Sequence, residues 1–181
     1  MNERITTTAA LVAVPTTHGT FEAAFTERGL RCLLFPNQTG AAGRWLSRHL
    51  PGVAIRTAAD PRAAGLAGEL DSYFRGELTT FTVPLDVAGT AFQLSVWRQL
   101  QAIPYGEVRS YADVARAIGR PAAVRAVGAA NGANPVPIVV PCHRVIGSSG
   151  ALTGFGGGLD WKRRLLATEN AARWGELPLL V

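Results

Sequence analysis

Residues 134–142 read Asn-Pro-Val-Pro-Ile-Val-Val-Pro-Cys, and the three prolines in these nine positions constrain the fold more than any other stretch. Proline fixes φ, removes a backbone donor and pushes the residue before it towards extended backbone. The segment is therefore predicted as extended or turn structure, an apolar run that ends in Pro141-Cys142-His143-Arg144. A cysteine in that position is held by stiff neighbours.

Upstream, the pattern changes near Asp86. Residues 11–14, 20–25 and 30–35 read as strands, and Glu27-Arg28-Gly29 between the last two predicts a hairpin. Helical periodicity covers about residues 41–50 and 61–74, the latter with Asp60 as cap and Pro61 in the first helical position. Residues 78–83 read as one more strand. The span 1–86 is thus predicted as an α/β supporting domain with a small antiparallel sheet.

Residues 84–90 form a connector, after which the pattern is mainly helical. Phe92, Val96 and Leu100 fall at i, i+4 and i+8 and predict a helix over about residues 91–102. Ser110 stands three residues before Asp113 like a capping box, and the helix over 111–118 is stopped by Gly119. A second helix follows from Pro121 to about Ala130, giving the outline of a helix-turn-helix. The whole chain is read as α+β, with 87–181 a mainly helical winged helix-turn-helix domain. In the second helix, Arg125 is the only long polar side chain. It is either an alanine-rich core helix or a helix pressed against DNA. In the second case Ala123, Ala126 and Gly128 permit close approach, and Arg125 enters where a base has left the stack.

Charge favours a polyanionic partner for the second half. Residues 1–86 hold 8 Arg and 8 acidic residues, whereas 87–181 hold 9 Arg, Lys162 and 5 acidic residues, so the whole excess of +5 lies in the second half. A solvated basic surface is the alternative. No apolar run approaches the roughly 20 residues of a membrane span, and the first eight residues are polar, so neither a membrane partner nor a secretory leader is expected. Two cysteines suit a reducing, cytoplasmic setting better than a disulfide framework. Cys32, Cys142, His18, His49 and His143 show no metal-ligand spacing, so no metal and no cofactor are expected.

Cys142 and Cys32 invite different readings. A free cysteine in a strand, as expected for Cys32, is usually an inert small hydrophobe. Cys142 has His143 beside it, and Glu169 on the last helix could orient that imidazole, so a base is available to raise the thiolate fraction. Adjacent side chains on extended backbone point apart, so His143 would act through a water or a local bend. Such a constellation could serve a cysteine hydrolase, although nothing in the sequence marks an oxyanion hole. A non-catalytic winged-helix lesion binder would explain the charge and the helix pair, but not Cys142-His143-Arg144.

The run from Asn134 to Val145, with Pro-Cys-His-Arg inside its Pro/Val-rich frame, closely resembles the active-site signature of the O6-alkylguanine-DNA alkyltransferases. The likeness extends from about Phe92 to Glu169, whereas the first half matches only in size and coarse order of elements. The resemblance implies that Cys142 accepts the alkyl group, that His143 takes its proton through a bridging water and that Glu169 orients and polarises His143. It implies that the Tyr111 hydroxyl donates to the flipped guanine, that Arg125 fills the gap in the duplex and that Asn134 ties the DNA-binding motif to the active-site segment. Arg144 is grouped with the DNA-contacting residues, and Val145 and Lys162 with the guanine pocket. The loop over residues 153–158 becomes a wall of that pocket. Phe155 and Gly156, beside Gly157, replace the tyrosine and serine of some members, a change expected to alter which alkyl groups fit.

The expected activity is thus a methylated-DNA-[protein]-cysteine S-methyltransferase of single turnover. It would act on double-stranded DNA carrying O6-alkylguanine, with O4-alkylthymine as a second candidate substrate, and the protein is expected to be a monomer.

Overall fold

The computed structural model describes residues 7–38 and 53–170. The helix expected over 41–50 lies outside these residues. By internal contacts the chain divides into two compact units, one of Met1–Ser72 with Phe81–Val87, the other of Tyr73–Thr80 with Ala88–Val181.

In the first unit β1 (Thr7–Thr16), β2 (Gly19–Thr26), β3 (Gly29–Leu34) and β4 (Val53–Thr57) make one sheet in the order β3-β2-β1-β4. The predicted β2–β3 hairpin is present, with Ala24 opposite Cys32, and β1 also pairs antiparallel with β2, with Val14 opposite Phe21. β4, which the sequence pattern does not reveal, joins β1 in parallel, so the sheet is mixed. Phe21, Phe25, Leu30 and Leu33 are fully buried. The helix α1 (Arg62–Phe74) starts after Asp60, whose carboxylate accepts the Arg62 N–H at 2.9 Å as the cap expected there. Arg62 also donates to the Thr26 carbonyl and lies over the Phe25 ring, fastening the start of α1 to β2. The spacing of Leu66, Leu70 and Tyr73 puts all three on one buried face, and Tyr73 and Phe74 are counted in the second unit.

The strand expected over 78–83 is not formed. The Glu69 carboxylate takes the Thr82 N–H, which removes that donor from any ladder. Contact with the sheet comes slightly later, where Leu30 donates to Pro84 O at 2.7 Å and Asp86 donates back to Leu30 O at 2.9 Å.

In the second unit α2 (Ala91–Gln101) begins at a Thr90/Gln93 capping box and buries Val96, Trp97 and Leu100. β5 (Arg109–Ser110) leads directly into α3 (Tyr111–Ala117), which has the predicted Ser110/Asp113 capping box and ends at Gly119 with φ +70°. The next helix, α4 (Val124–Gly132), starts three residues after the expected Pro121, because a turn closed by Ala123 N–H on Arg120 O precedes it. Trp97 Nε1 donates to Ala130 O at 2.9 Å and fastens α2 to α4. β6 (Val145–Ile146) pairs in parallel with β5, and α5 (Leu159–Thr168) is the last element among the described residues. The β5–β6 ladder matters for position: it sets the start of α3 beside the backbone that has just passed Cys142. Among the described residues no helix is long and apolar enough to cross a membrane.

Candidate active site

Asn134 folds the proline-rich segment back on itself. Its Oδ1 accepts the Val136 N–H at 3.1 Å and its Nδ2 donates to Val140 O at 2.8 Å. Val140 N–H reaches Val136 O at 2.9 Å, and inside this loop Ile138 has φ +75°. A β-branched residue in the left-handed region is strained by about 1–3 kcal/mol, so the surrounding hydrogen bonds must hold it there. The loop delivers the chain into a 3-10 turn at Cys142–Arg144, closed by Arg144 N–H on Pro141 O. Asn131 of α4 donates to Cys142 O at 3.3 Å, a direct tie between the second helix of the helix-turn-helix and the cysteine.

The 3-10 turn is the local bend that lets neighbouring side chains converge. His143 and Arg144 are both buried and both reach Glu169, the C-cap of α5. His143 Nε2 lies 2.8 Å from Oε1, while Arg144 donates through Nε to Oε2 and through its terminal nitrogen to Oε1, each at 2.9 Å. Gly106 N–H donates to Oε2 at 3.1 Å, and the Tyr73 hydroxyl donates to Oε1 at 2.7 Å. Gly106 has φ +78°, and a Cβ there would stand 3.0 Å from the Glu169 carbonyl, so this close approach calls for glycine.

Burial alone would raise the Glu169 carboxyl, but the hydrogen bonds from His143 and Arg144 outweigh it and bring it down to about 2. Glu169 is therefore ionised and its hydrogen-bonded partner Nε2 carries the His143 proton. Nδ1 is left as a buried lone pair with no hydrogen-bond partner among the described residues. Burial also lowers the basicity of His143, keeping the ring neutral at rest.

Cys142 is 4 % exposed, and burial pushes its thiol up to about 11 against the opposing effects of Asn134, Lys162 and nearby backbone N–H groups. The resting site therefore holds a thiol, and thiolate forms only as its proton leaves. Lys162 is fully buried, donating to Val145 O at 2.7 Å and Thr153 O at 3.0 Å. Burial draws its ammonium down to about 8, while a charge on Cys142 pulls it the other way. Lys162 thus joins the strand after the cysteine to the loop over residues 153–158 and supplies the nearby positive charge.

The expected site residues fall into three groups. Cys142, His143, Glu169, Asn134, Lys162 and Val145 are buried around the 3-10 turn. Tyr111 opens α3, while Ala123, Arg125, Ala126 and Gly128 lie at the cap or along α4; Arg125 and Ala126 are exposed, and the Gly128 backbone faces the Tyr111 ring. The third group is the loop, with Phe155 half-buried, Gly156 exposed and Gly157 buried. Arg144 corrects the sequence reading: expected at DNA, it is buried, bonded to Glu169 and to Ile103 O at 2.6 Å, and stacked over Tyr105. A 3-10 turn rotates it inward where extended backbone would have pointed it away from His143. Tyr73, Gly106, Asn131 and Thr153 are site residues that the sequence reading did not find. For Tyr73 the signal was a phenol on an otherwise apolar helix face, a hydroxyl that needs a buried partner.

Residues 91–171 match the model of the 6-O-methylguanine DNA methyltransferase DNA binding domain, and residues 11–87 match that of the 6-O-methylguanine DNA methyltransferase ribonuclease-like domain. The chain belongs to the 6-O-methylguanine DNA methyltransferase family. Among its relatives, the methylated-DNA–protein-cysteine methyltransferase of Mycolicibacterium paratuberculosis is 63 % identical over 111 residues, 61 % of this chain and 67 % of that protein. The inducible methylated-DNA–protein-cysteine methyltransferase of Bacillus subtilis is 51 % identical over 128 residues, 71 % of each chain. The Mycobacterium tuberculosis OGT crystallised in complex with DNA superposes with a TM-score of 0.72 at 43 % identity, covering 92 % of this chain and 94 % of that one. This methyltransferase family accounts for the α+β class and for the helical second unit.

Proposed function

We propose that this 6-O-methylguanine DNA methyltransferase family member repairs double-stranded DNA by moving the alkyl group of an O6-alkylguanine irreversibly to its own Cys142. The observation that carries the reading is the paired state of His143: Nε2 is bound to ionised Glu169, and Nδ1 is a buried lone pair one residue from a buried thiol. The fold and the names of the relatives support the same reaction.

The target oxygen lies in a stacked pair, so the nucleotide must rotate out, at a cost of a few kcal/mol that is least for a weakened pair. We assign to Arg125, exposed on α4, the filling of the gap, a role supported by the small residues Ala126 and Gly128, which allow the backbone to approach. Cys142 gives its proton to His143 through a water, and its sulfur attacks the alkyl carbon. The S–C bond forms as the C–O6 bond breaks, and the electron pair passes to the guanine. The Tyr111 hydroxyl, which accepts from Thr153 Oγ1 at 3.2 Å, donates its own hydrogen towards the departing base. In the balance guanine gains the proton that the thiol loses, and no cofactor takes part. Glu169 and Lys162 compensate the charges that develop on His143 and on the sulfur respectively.

A thioether is not reversed by any group in this site, so each molecule reacts once. The acceptor must stay a free thiol, as both cysteines are here, and we place the protein, as a monomer, in the reducing cytoplasm. The test is intact and peptide mass spectrometry after mixing with a duplex bearing one O6-methylguanine. One methyl on the Cys142 peptide, never more than one per protein, is expected. DNA retained by unmodified protein would identify a lesion binder, and repeated turnover without modification would identify a hydrolase.

A further inference from the structure

Oε1 of Glu169 accepts three donors: His143 Nε2 at 2.8 Å, an Arg144 terminal nitrogen at 2.9 Å and the Tyr73 hydroxyl at 2.7 Å. Tyr73 comes from the end of α1, within the stretch matched by the ribonuclease-like domain, a region to which the sequence reading assigns only support. Its ring is fully buried against the rings of Phe74 and Tyr105. The hydroxyl stands 3.4 Å from His143 Nε2, longer than either of their bonds to the carboxylate, so both hydrogens point at one oxygen.

We propose that Tyr73 is a positioning residue of the proton relay, its hydroxyl sharing Oε1 of Glu169 with His143 and thereby limiting how strongly the carboxylate holds a proton on the imidazole. This rests on the relay described above. Donors that converge on one acceptor divide its charge, so removing the Tyr73 hydroxyl concentrates Glu169 on His143. The imidazole then becomes a stronger base that is protonated over more of the pH range and less often free to take the thiol proton. Among the described residues, the ionisable groups facing the relay include Arg144 and Cys142 of the 3-10 turn, Tyr105 of the turn before β5 and Lys162 of α5. Arg144 and Lys162 already disfavour charge on His143, and Tyr73 acts in the same sense through the Glu169 carboxylate. Burial and the adjacent Glu169 keep the Tyr73 phenol protonated, so it remains a donor.

Tyr73→Phe keeps the ring and deletes the hydroxyl. Single-turnover transfer measured from about pH 5 to about pH 8.5 should show its acid limb displaced upward by about half a unit to one unit, so the rate at the acid end falls about three- to tenfold further than at the alkaline end. The 15N titration of the His143 ring should move by the same amount. An unmoved limb or an unmoved titration overturns the proposal, because loss of packing alone changes neither. A second measurement uses the native protein: the buried Tyr73 hydroxyl proton should give a downfield resonance that shifts as His143 titrates, and a resonance indifferent to His143 also overturns it. If native protein transfers no methyl group, the alkyl-transfer reading fails by itself, while the coupling of Tyr73 to His143 is still decided by the two titrations.

Discussion

The two cysteines sit in regions that burial alone does not distinguish. Cys32 lies in the sheet of the first unit, 1 % exposed, in a cluster with Ala9, Ala24 and Leu34. Cys142 lies in the 3-10 turn of the second unit, 4 % exposed. Burial raises both thiols, but at Cys32 the charge of Glu22 raises the thiol further, whereas at Cys142 an asparagine amide, a buried lysine and backbone N–H groups all work the other way. The sheet sets a carboxylate near its thiol, which opposes a thiolate, whereas the turn places a neutral imidazole next in the chain. What makes a buried thiol useful is compensation for the charge that departs, not access to water.

The largest test of that contrast is to remove each sulfur in turn. Cys142→Ala should abolish methyl transfer while the protein still binds methylated duplex. Cys32→Ala should keep one methyl per molecule and cost about 1–2 kcal/mol of stability, the scale of a small deletion in a packed core. Mass spectrometry and urea unfolding on the same preparations read both effects. A methylated Cys142→Ala protein would place the acceptor elsewhere.

Next in size is the anchor beneath the active thiol. Glu169→Gln leaves Arg144 a buried cation without its counter-charge, which should cost about 3–5 kcal/mol in urea unfolding near neutral pH. The pH dependence gives an independent sign. The Glu169 carboxyl is depressed from its ordinary 4.5 to about 2, so its contribution is complete above pH 4.5 and is lost as pH falls towards 2. Native protein should therefore lose stability through that window, and the glutamine variant should lose much less. Equal acid sensitivity in the two would show that Arg144 and His143 do not depend on this carboxylate.

These features differ in how far the sequence reveals them. Capping residues and turn glycines act on their own backbone, so α2, α3 and the β2–β3 hairpin are visible locally. β4 is a short, half-buried strand whose partner β1 lies far back in the chain, and residues 78–83 have the composition of a strand but lose the Thr82 donor to Glu69. The direction of Arg144 follows from a 3-10 turn that no period in the sequence announces. Glu169 collects its donors from three separate stretches of chain, and of these the sequence reading pointed only to its partnership with His143. Tyr73 shares its buried face with Leu66 and Leu70, so the local pattern does not set it apart from the apolar residues around it.

The smallest effect expected concerns the charge that Cys142 has and Cys32 lacks. Lys162 is the only lysine in the chain, which leaves alkaline stability curves uncluttered. Its ammonium is drawn from 10.5 to about 8, so below pH 8 the folded protein bears the full cost of burying it, and that cost is relieved as pH rises towards 10.5. Cys142 runs the other way: raised from 9.0 to about 11, it gives a contribution complete below pH 9 and lost between 9 and 11. Within this pair, the window from about pH 8 to about pH 9 belongs to the lysine. Stability there should rise by about 1 kcal/mol, below the ceiling of about 1.4 kcal/mol that one group can add over one pH unit. Lys162→Met should flatten that rise and leave the decline above pH 9 in place. A rise of equal size in the methionine variant would mean that Lys162 is not the buried charge, and that the positive environment setting Cys142 apart from Cys32 has another source.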